Sequence, residues 1–359
     1  MKPLAKGTEY TKIKRVFVNC SGQDDNIGDV VLRRALIAEI RDAGELHLYV
    51  GPASDDFVEG LVVPETAVLY RDVRKWTSAF LGSEGAVSYI AKPGEITTTP
   101  KGCLRFLRTI FFALRARLSG GQAVIAGVGF RNRPPKLLPV RLIFSVFNHV
   151  SWRDSKSYQY AGIGNIVPDW AFSKLASVGD KADWPRQSLV VSMRSDRPAP
   201  SDGWYDAVSA FAARRSLEVL VVTQVGRDEP RSAEIAARLK VKHIPWNGHH
   251  LNHEIALRSI YQKSALVLSD RLHVLIVAMT EGACPCACVE REDIKVQRHF
   301  DAINLENIVS EPTSNQADLI QHLEATLLRL PVVEMALKNA ELAIDEEARK
   351  VSTMIVGSY

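Results

Sequence analysis

The sequence predicts an α/β protein built as two halves, each a parallel sheet with crossover helices. Three observations carry this. Short β-branched runs alternate with longer stretches of helical spacing along most of the chain. The length, 359 residues, corresponds to about two domains at roughly 100–200 residues each. A polar, turn-rich segment at 178–185 lies near the middle and reads as a linker. The expected organisation is an N-terminal domain over 1–177, a C-terminal domain over 186–325, and a helical tail over 326–359 that packs back across both.

The elements follow in order. A strand at 14–18 leads into a turn at 21–28. Over 29–42, Val30, Val31, Leu32, Leu36, Ile37 and Ile40 recur at helical spacing. The next strand, 46–50, is stopped by Gly51 and Pro52. Strands at 87–91 and 123–126 flank a helix at 104–118, with Arg105, Arg108, Arg115 and Arg117 on its polar side. Further strands fall at 189–192, 217–223 and 265–269, with helices at 204–214 and 229–240. The stretch 327–354 is helical and amphipathic, and Pro331 marks the start of its main helix, where a ring-fixed φ is tolerated.

Composition narrows the function classes. Hydrophobic residues make up 46% and charged residues 24%, the balance of a globular chain with real cores. Lys and Arg number 45 against 41 Asp and Glu, too small an excess to argue for a nucleic-acid partner. No apolar run approaches the ~20 residues of a membrane span; the strongest, 137–150, is cut by Arg141. After the basic N-terminus only Val16, Phe17 and Val18 follow, short of the ~7–15 apolar residues of a secretory leader. A cytoplasmic protein is expected, and the cysteines agree. Cys20 and Cys103 stand alone, while Cys284, Cys286 and Cys288 alternate as small apolar fillers of one strand. His249, His250 and His253 lack the intervening Glu of H-E-x-x-H, so no metal is expected there. P-loop, G-x-G-x-x-G and G-x-S-x-G patterns are absent.

Four segments can carry chemistry. Asp24 to Asp29 follows the first strand and opens the first helix, where N–H groups face an anion or a sugar hydroxyl; its ordinary reading is an N-cap turn. The strand 265–270 runs straight into Arg271-Leu272-His273 and an apolar helix. This puts a guanidinium, a helix start and an imidazole at the strand edge where open α/β sheets bind ligands. Arg153 ends a short apolar run at 150–153, and Asp154 either fixes it or caps the next helix; Pro168 to Phe172 follows. Arg194 ends the first strand of the second half, and a solvated strand-end charge is its ordinary reading.

Taken in order, these motifs resemble the polysaccharide pyruvyl transferase family. The N-x-G-D pattern falls on Asn26, Gly28 and Asp29. R-D-x-x-S and P-D-x-A-F fall on Arg153, Asp154 and Ser157, then Pro168, Asp169, Ala171 and Phe172. S-x-R falls on Ser192 and Arg194. The most specific, S-x-R-L-H, falls on Ser269, Arg271, Leu272 and His273, with Gly282, Pro285 and Lys295 after it. The likeness spans roughly 16–310. Two departures bear on the acceptor side. Lys92-Pro93-Gly94-Glu95 stands where the family often has a glycine triplet, and Arg131 follows Gly127-Val128-Gly129 in place of Gly-Pro.

The resemblance implies a GT-B-like fold of two Rossmann-like domains facing a central cleft. It implies an exopolysaccharide-biosynthesis enzyme that moves a pyruvyl group from phosphoenolpyruvate to a sugar, forming a cyclic ketal. The acceptor is a glycan or a lipid-linked oligosaccharide, and neither cofactor nor metal is implied. On this view His273 donates a proton to the donor's methylene or relays it. Arg271, Arg153 and more weakly Arg194 hold phosphate and carboxylate, the Leu272 N–H adds a donor, and Asn26 and Asp29 line the opposite wall. Two rival readings are a GT-B glycosyltransferase using a nucleotide sugar, with Glu281 or Glu290 on its ribose, and a non-catalytic subunit of a polysaccharide assembly complex. The helix at 104–118, with Phe106, Phe111 and Phe112, either packs on a sheet or also makes peripheral contact with the cytoplasmic face of the inner membrane.

Overall fold

The computed structural model describes residues 14–135, 140–179, 184–290, 295–312 and 315–357, and of 100–105 the backbone only. Residues 180–183 of the expected linker, and 137–139 of the longest apolar run, lie outside the described residues.

The first half runs β1 (Arg15–Asn19), α1 (Ile27–Ile40), β2 (Glu45–Tyr49), α2 (Asp55–Gly60), β3 (Val68–Tyr70), α3 (Val73–Gly82), β4 (Val87–Ile90), β5 (Gly94–Ile96), α4 (Pro100–Leu118), β6 (Ala123–Phe130), α5 (Val140–Phe144), β7 (His149–Trp152), α6 (Ser155–Ala161) and β8 (Asn165–Ile166). The second runs β9 (Ser188–Ser192), α7 (Asp202–Arg215), β10 (Glu218–Val222), α8 (Glu229–Leu239), β11 (Lys242–Ile244), α9 (His250–Gln262), β12 (Ser264–Ser269), α10 (Leu272–Thr280), β13 (Cys284–Cys288), α11 (Lys295–Asp301), β14 (Val309–Ser310), α12 (Gln316–Leu327) and α13 (Leu330–Val356).

Each half is one parallel sheet. The first is ordered β3-β2-β1-β4-β6-β7-β8, with β5 paired to β6, and the second β11-β10-β9-β12-β13-β14. In both, the order reverses beside the first strand, between β1 and β4 and between β9 and β12. Neighbouring loops diverge at such a point and leave a crevice beyond the carboxyl ends of the strands. Three of the four candidate segments leave these strand ends: the turn after β1, Ser192–Arg194 after β9, and Ser269–His273 after β12; the fourth, at Arg153, leaves β7, two strands beyond β4.

Side chains alternate across each sheet, which decides the core. Val16 and Val18 face inward with Val190 and Val267 in one continuous core that also takes in α1, α10 and α13. Phe17 points the other way, into an aromatic layer with Trp76, Phe80, Tyr89 and Phe112. Leu189 and Val191 point outward in the second half, onto Trp204 and Phe211. Cys284, Cys286 and Cys288 are buried in β13, and burial pushes the Cys286 thiol up to about 12.

The halves are also joined by buried charge. Arg34 of α1 meets Glu254 of α9 and donates to the Gly60 carbonyl at 2.7 Å. Arg258 donates to Glu254 at 2.7 Å and to Glu281 at 2.6 Å. Both arginines also donate to the Ala176 carbonyl, in the connector between the sheets. The helix α13 returns to the first half, where Glu347 lies 2.6 Å from the His149 imidazole of β7. No helix of the described residues is long and apolar enough to cross a membrane.

Candidate functional site at the crevice between the sheets

The turn before α1 is locked from within and from across the crevice. Asn26 caps the helix, its side chain accepting from the Gly28 N–H at 3.0 Å and donating to Gln23 at 3.2 Å. Asp29 accepts the Gln23 N–H at 2.7 Å. From the second half, Arg227 Nε donates to Asp25 at 2.7 Å, the Gly226 N–H to the Asp25 carbonyl at 2.8 Å, and His250 Nε2 to the Asp24 carbonyl at 2.7 Å. Burial pushes the Asp29 carboxyl up, but Arg33, the Gln23 N–H, Lys92 and His273 outweigh it and leave it below its ordinary value.

His273 sits on this turn. A Cβ built on Gly28 would lie 2.5 Å from the His273 Cβ and 2.6 Å from its Nδ1, so only glycine admits the imidazole there. Asn26 and Asp29 therefore do not stand on a wall opposite His273, as the sequence suggested; the residue between them touches it. The loop pattern could not show this, because the contact joins the starts of helices in different halves.

Beyond the ring lies Asp169. His273 Nε2 is 3.6 Å from Asp169 Oδ1, beyond hydrogen-bond length, and has no partner among the described residues. Asp169 is fully buried; it accepts Arg153 Nη1 at 2.8 Å and the Ala171 N–H at 3.1 Å. Burial raises its pKa, but His273, Arg153 and His299 more than offset that and hold it as a carboxylate. Of the two readings of Asp154, the cap holds: it caps α6 through the Ser157 N–H and hydroxyl, at 2.8 and 2.6 Å, and Asp169 rather than Asp154 holds the arginine.

Arg153 leads on to a second carboxylate. Its Nη2 is 3.9 Å from Glu95, which pairs with Lys295 and lies 3.7 Å from Arg131. Burial again raises, but Lys295, Arg153 and Arg131 bring the Glu95 carboxyl down to about 2. A Cβ on Gly129 would sit 3.2 Å from Arg153 Nε and 2.8 Å from Asp154, so the bare strand end makes room for this cluster.

Arg271, at the start of α10, forks onto Asp228 with both bonds at 2.7 Å. A guanidinium has five N–H donors, so three remain for a ligand. Arg194 forks onto Asp196 at 2.8 and 2.6 Å. The arginines are thus oriented, charge-balanced donors rather than bare cations. Leu272 and His273 occupy the first turn of α10, where backbone N–H groups have no carbonyl one turn back. The structure joins His273, Arg153 and the Asn26–Asp29 turn closely, and brings Arg271 in through its neighbour His273. Arg194 lies on the Arg271 side: its N–H donates to Asp270, and Asp228, which Arg271 grips, also accepts the N–H of the next residue, Ser195, at 3.0 Å. Sequence reasoning passed over Asp228, Glu95 and His299 as site residues. Asp228 reads as the turn before α8, and nothing in its spacing points to Arg271. Asp169 stood in a quoted motif with no role attached.

Asp270, at the end of β12, accepts the Arg194 N–H at 2.9 Å, and burial raises its carboxyl to about 7. An unfolded Asp titrates near ~3.9, so the folded chain binds the extra proton and stability falls as pH rises between about 4 and about 7. Asn keeps the acceptor without the charge. Asp270→Asn is expected to stabilise the fold more at pH 8 than at pH 5, by on the order of a few kcal/mol of unfolding free energy; equal gains at both pH values would show that the carboxyl is ionised without penalty.

The histidines 249, 250 and 253 make no metal cluster with other side chains among the described residues. His250 and His253 donate to the Asp24 and Thr223 carbonyls, each at 2.7 Å, and His249 lies 3.2 Å from Asp56. Glu281 is buried under Arg258 and Gln262; it is not available to a ribose.

Comparisons with solved structures show the fold. UDP-GlcNAc 2-epimerase from Neisseria meningitidis, bound to UDP-GlcNAc, is 10% identical with a TM-score of 0.57, over 96% of this chain and all of that one (100%). MnaA of S. aureus with UDP is 11% identical with a TM-score of 0.58, over 95% and 96%. A glycosyltransferase from Rickettsia africae is 11% identical with a TM-score of 0.54, over 98% and 100%. The arrangement is the GT-B one, two Rossmann-like sheets facing across a crevice. No curated protein matches in sequence. The family model described as polysaccharide pyruvyl transferase matches residues 26–292.

Proposed function

The chain belongs to the polysaccharide pyruvyl transferase family, and from that premise we propose that it moves a pyruvyl group from phosphoenolpyruvate to a sugar of a polysaccharide or its precursor, forming a cyclic ketal. The transferase class follows from the family; the donor, the product and the residue roles are our reading. The observation that carries it is the seat of His273: an imidazole pressed onto Gly28, its Nε2 unpartnered among the described residues, with the Asp169 carboxylate 3.6 Å away.

Phosphoenolpyruvate needs a proton on its methylene carbon before its central carbon becomes electrophilic. His273 supplies or relays that proton, and Asp169 stabilises the charged ring beside it. One sugar hydroxyl then attacks the central carbon. A second displaces phosphate and closes the ring. Of the two hydroxyl protons lost, one balances the new methyl group and the other leaves with phosphate. The remaining donors of Arg271 and Arg153 hold the phosphate and carboxylate, with the Leu272 N–H beside them. Arg194, Asn26 and Asp29 act from the rim. The second half is then the donor side and the first half the acceptor side. The setting is cytoplasmic, in peripheral contact with the inner membrane when the acceptor is lipid-linked.

Incubation with phosphoenolpyruvate and a panel of glycans, read by mass spectrometry, tests the reaction. Phosphate release with an acceptor gaining the pyruvyl mass is expected. Arg271→Ala is expected to raise the KM for phosphoenolpyruvate by roughly 10- to 100-fold, the loss of one charge-assisted contact, with a smaller effect on kcat. An unchanged KM would remove Arg271 from the donor site. The nucleotide-sugar alternative loses Glu281 to the buried network. A thermal shift with UDP or GDP and none with phosphoenolpyruvate would favour it all the same.

A further inference from the structure

The helix α4 carries two apolar faces, and only one is used. Phe112, Ala113 and Ala116 enter the aromatic layer under the first sheet. Leu107, Phe111, Leu114 and Leu118 are 59, 50, 46 and 85% exposed. At 100° per residue these four fall within about 60° of arc, on the side opposite the buried face. They form a stripe about 16 Å long at 1.5 Å per residue.

Arginines rim the stripe on both sides. By the same rotation Arg108 and Arg115 lie about 80–100° to one side and Arg117 about 80° to the other. The helix α5 runs alongside, since Phe106 and Phe144 have ring centroids 5.0 Å apart and Arg117 donates to the Val146 carbonyl at 2.9 Å. It adds Leu142, 70% exposed, and the exposed Arg141. The sequence sharpens this. Between Glu95 and Asp154 there are ten Lys and Arg and no Asp or Glu, so the rest of the chain holds 35 basic against 41 acidic residues. Two of the ten, Arg131 and Arg153, face Glu95 in the crevice, and α4 itself carries five of the others with no carboxylate among them.

We propose that this face docks on an anionic phospholipid surface, with the leucines and Phe111 in the headgroup boundary and the arginines on lipid phosphates. Exposed apolar side chains flanked by basic ones, with no carboxylate on the helix, suit that partner. A second copy of the chain suits it poorly, because a two-fold contact would set one arginine rim against another. The position fits access to the crevice. The chain enters α4 three residues after β5, at the carboxyl ends of the strands, so the stripe leads away from the site opening.

The test is sedimentation of the full chain with vesicles of phosphatidylcholine alone and of equal parts phosphatidylcholine and phosphatidylglycerol. Binding to the anionic vesicles is expected, weakening in high salt, with each arginine removed in Arg108→Ala and Arg141→Ala lowering affinity about fivefold. Phe111→Ser/Leu114→Ser should lower it at least tenfold with Tm unchanged, since neither side chain is in the core. Failure to bind anionic vesicles, or variants that bind like the parent, would overturn the proposal. So would a dimer in solution that Phe111→Ser/Leu114→Ser converts to monomer. None of these outcomes depends on which donor the crevice takes.

Discussion

A His273→Ala protein is expected to fold as the parent does and to release no measurable phosphate from phosphoenolpyruvate in the presence of acceptor. The fold should survive because the imidazole makes no hydrogen bond that holds the structure together. Asp169 keeps Arg153 at 2.8 Å and the Ala171 N–H at 3.1 Å without it. Turnover should not survive, because no other imidazole shares this position. His299 is buried, its Nδ1 is 2.8 Å from the Lys295 carbonyl, and burial together with the Arg153 charge depresses its pKa well below the usual value. Removing a positioned proton donor costs about 10²–10⁴ in rate. Thermal unfolding and a phosphate-release assay read the two halves of this statement separately. A variant with the parent's kcat would place the proton transfer elsewhere.

Glu254→Gln is expected to lower stability by about 3–5 kcal/mol, the cost of leaving buried cations without their counter-charge. Arg34 and Arg258 approach this one carboxylate from α1 and α9, and both are buried. Glutamine preserves the shape, so a large fall in Tm reports charge rather than packing. Replacing Arg34, Glu254, Arg258 and Glu281 together by apolar residues of similar size should recover much of the loss, since desolvation of the ions is removed with their attraction and no buried charge is left unpaired. An unchanged Tm in the single variant would mean that water reaches the network.

The fold class was legible because strand and helix periods alternate cleanly, and both sheets emerged from short apolar runs such as 87–91 in the first and 189–192 in the second. The family was legible in Ser269, Arg271, Leu272 and His273, a run too specific for a chance cap. What stayed hidden was pairing at a distance. Glu281 looked available because nothing near it in sequence shows Arg258 folding over it. Asp228 looked like a turn, and the run around Arg153 left Asp154 either its partner or a cap, with no sign that Asp169 would be the partner. Gly28 looked like a tight-turn glycine, although its function is to admit a ring contributed by a residue 245 positions later. Local pattern reports the backbone a residue needs; it is silent on which remote side chain fills the space beside it. The helix α4 was ambiguous for another reason: both of its faces are apolar, and sequence alone does not tell which one the sheet covers.

The return of α13 to the first half bears on how the protein is made. Val333, Ala336, Ala340, Ile344, Ala348, Val351 and Ile355 belong to the same core as Val16 and Val18, and Glu347 reaches the β7 histidine. A ribosome delivers the opening strands long before this last helix. The early portion must therefore wait, with part of its interior uncovered, until the residues of α13 have been made. The first half therefore does not complete its interior alone: it shows an apolar face to chaperones until α13 docks on it.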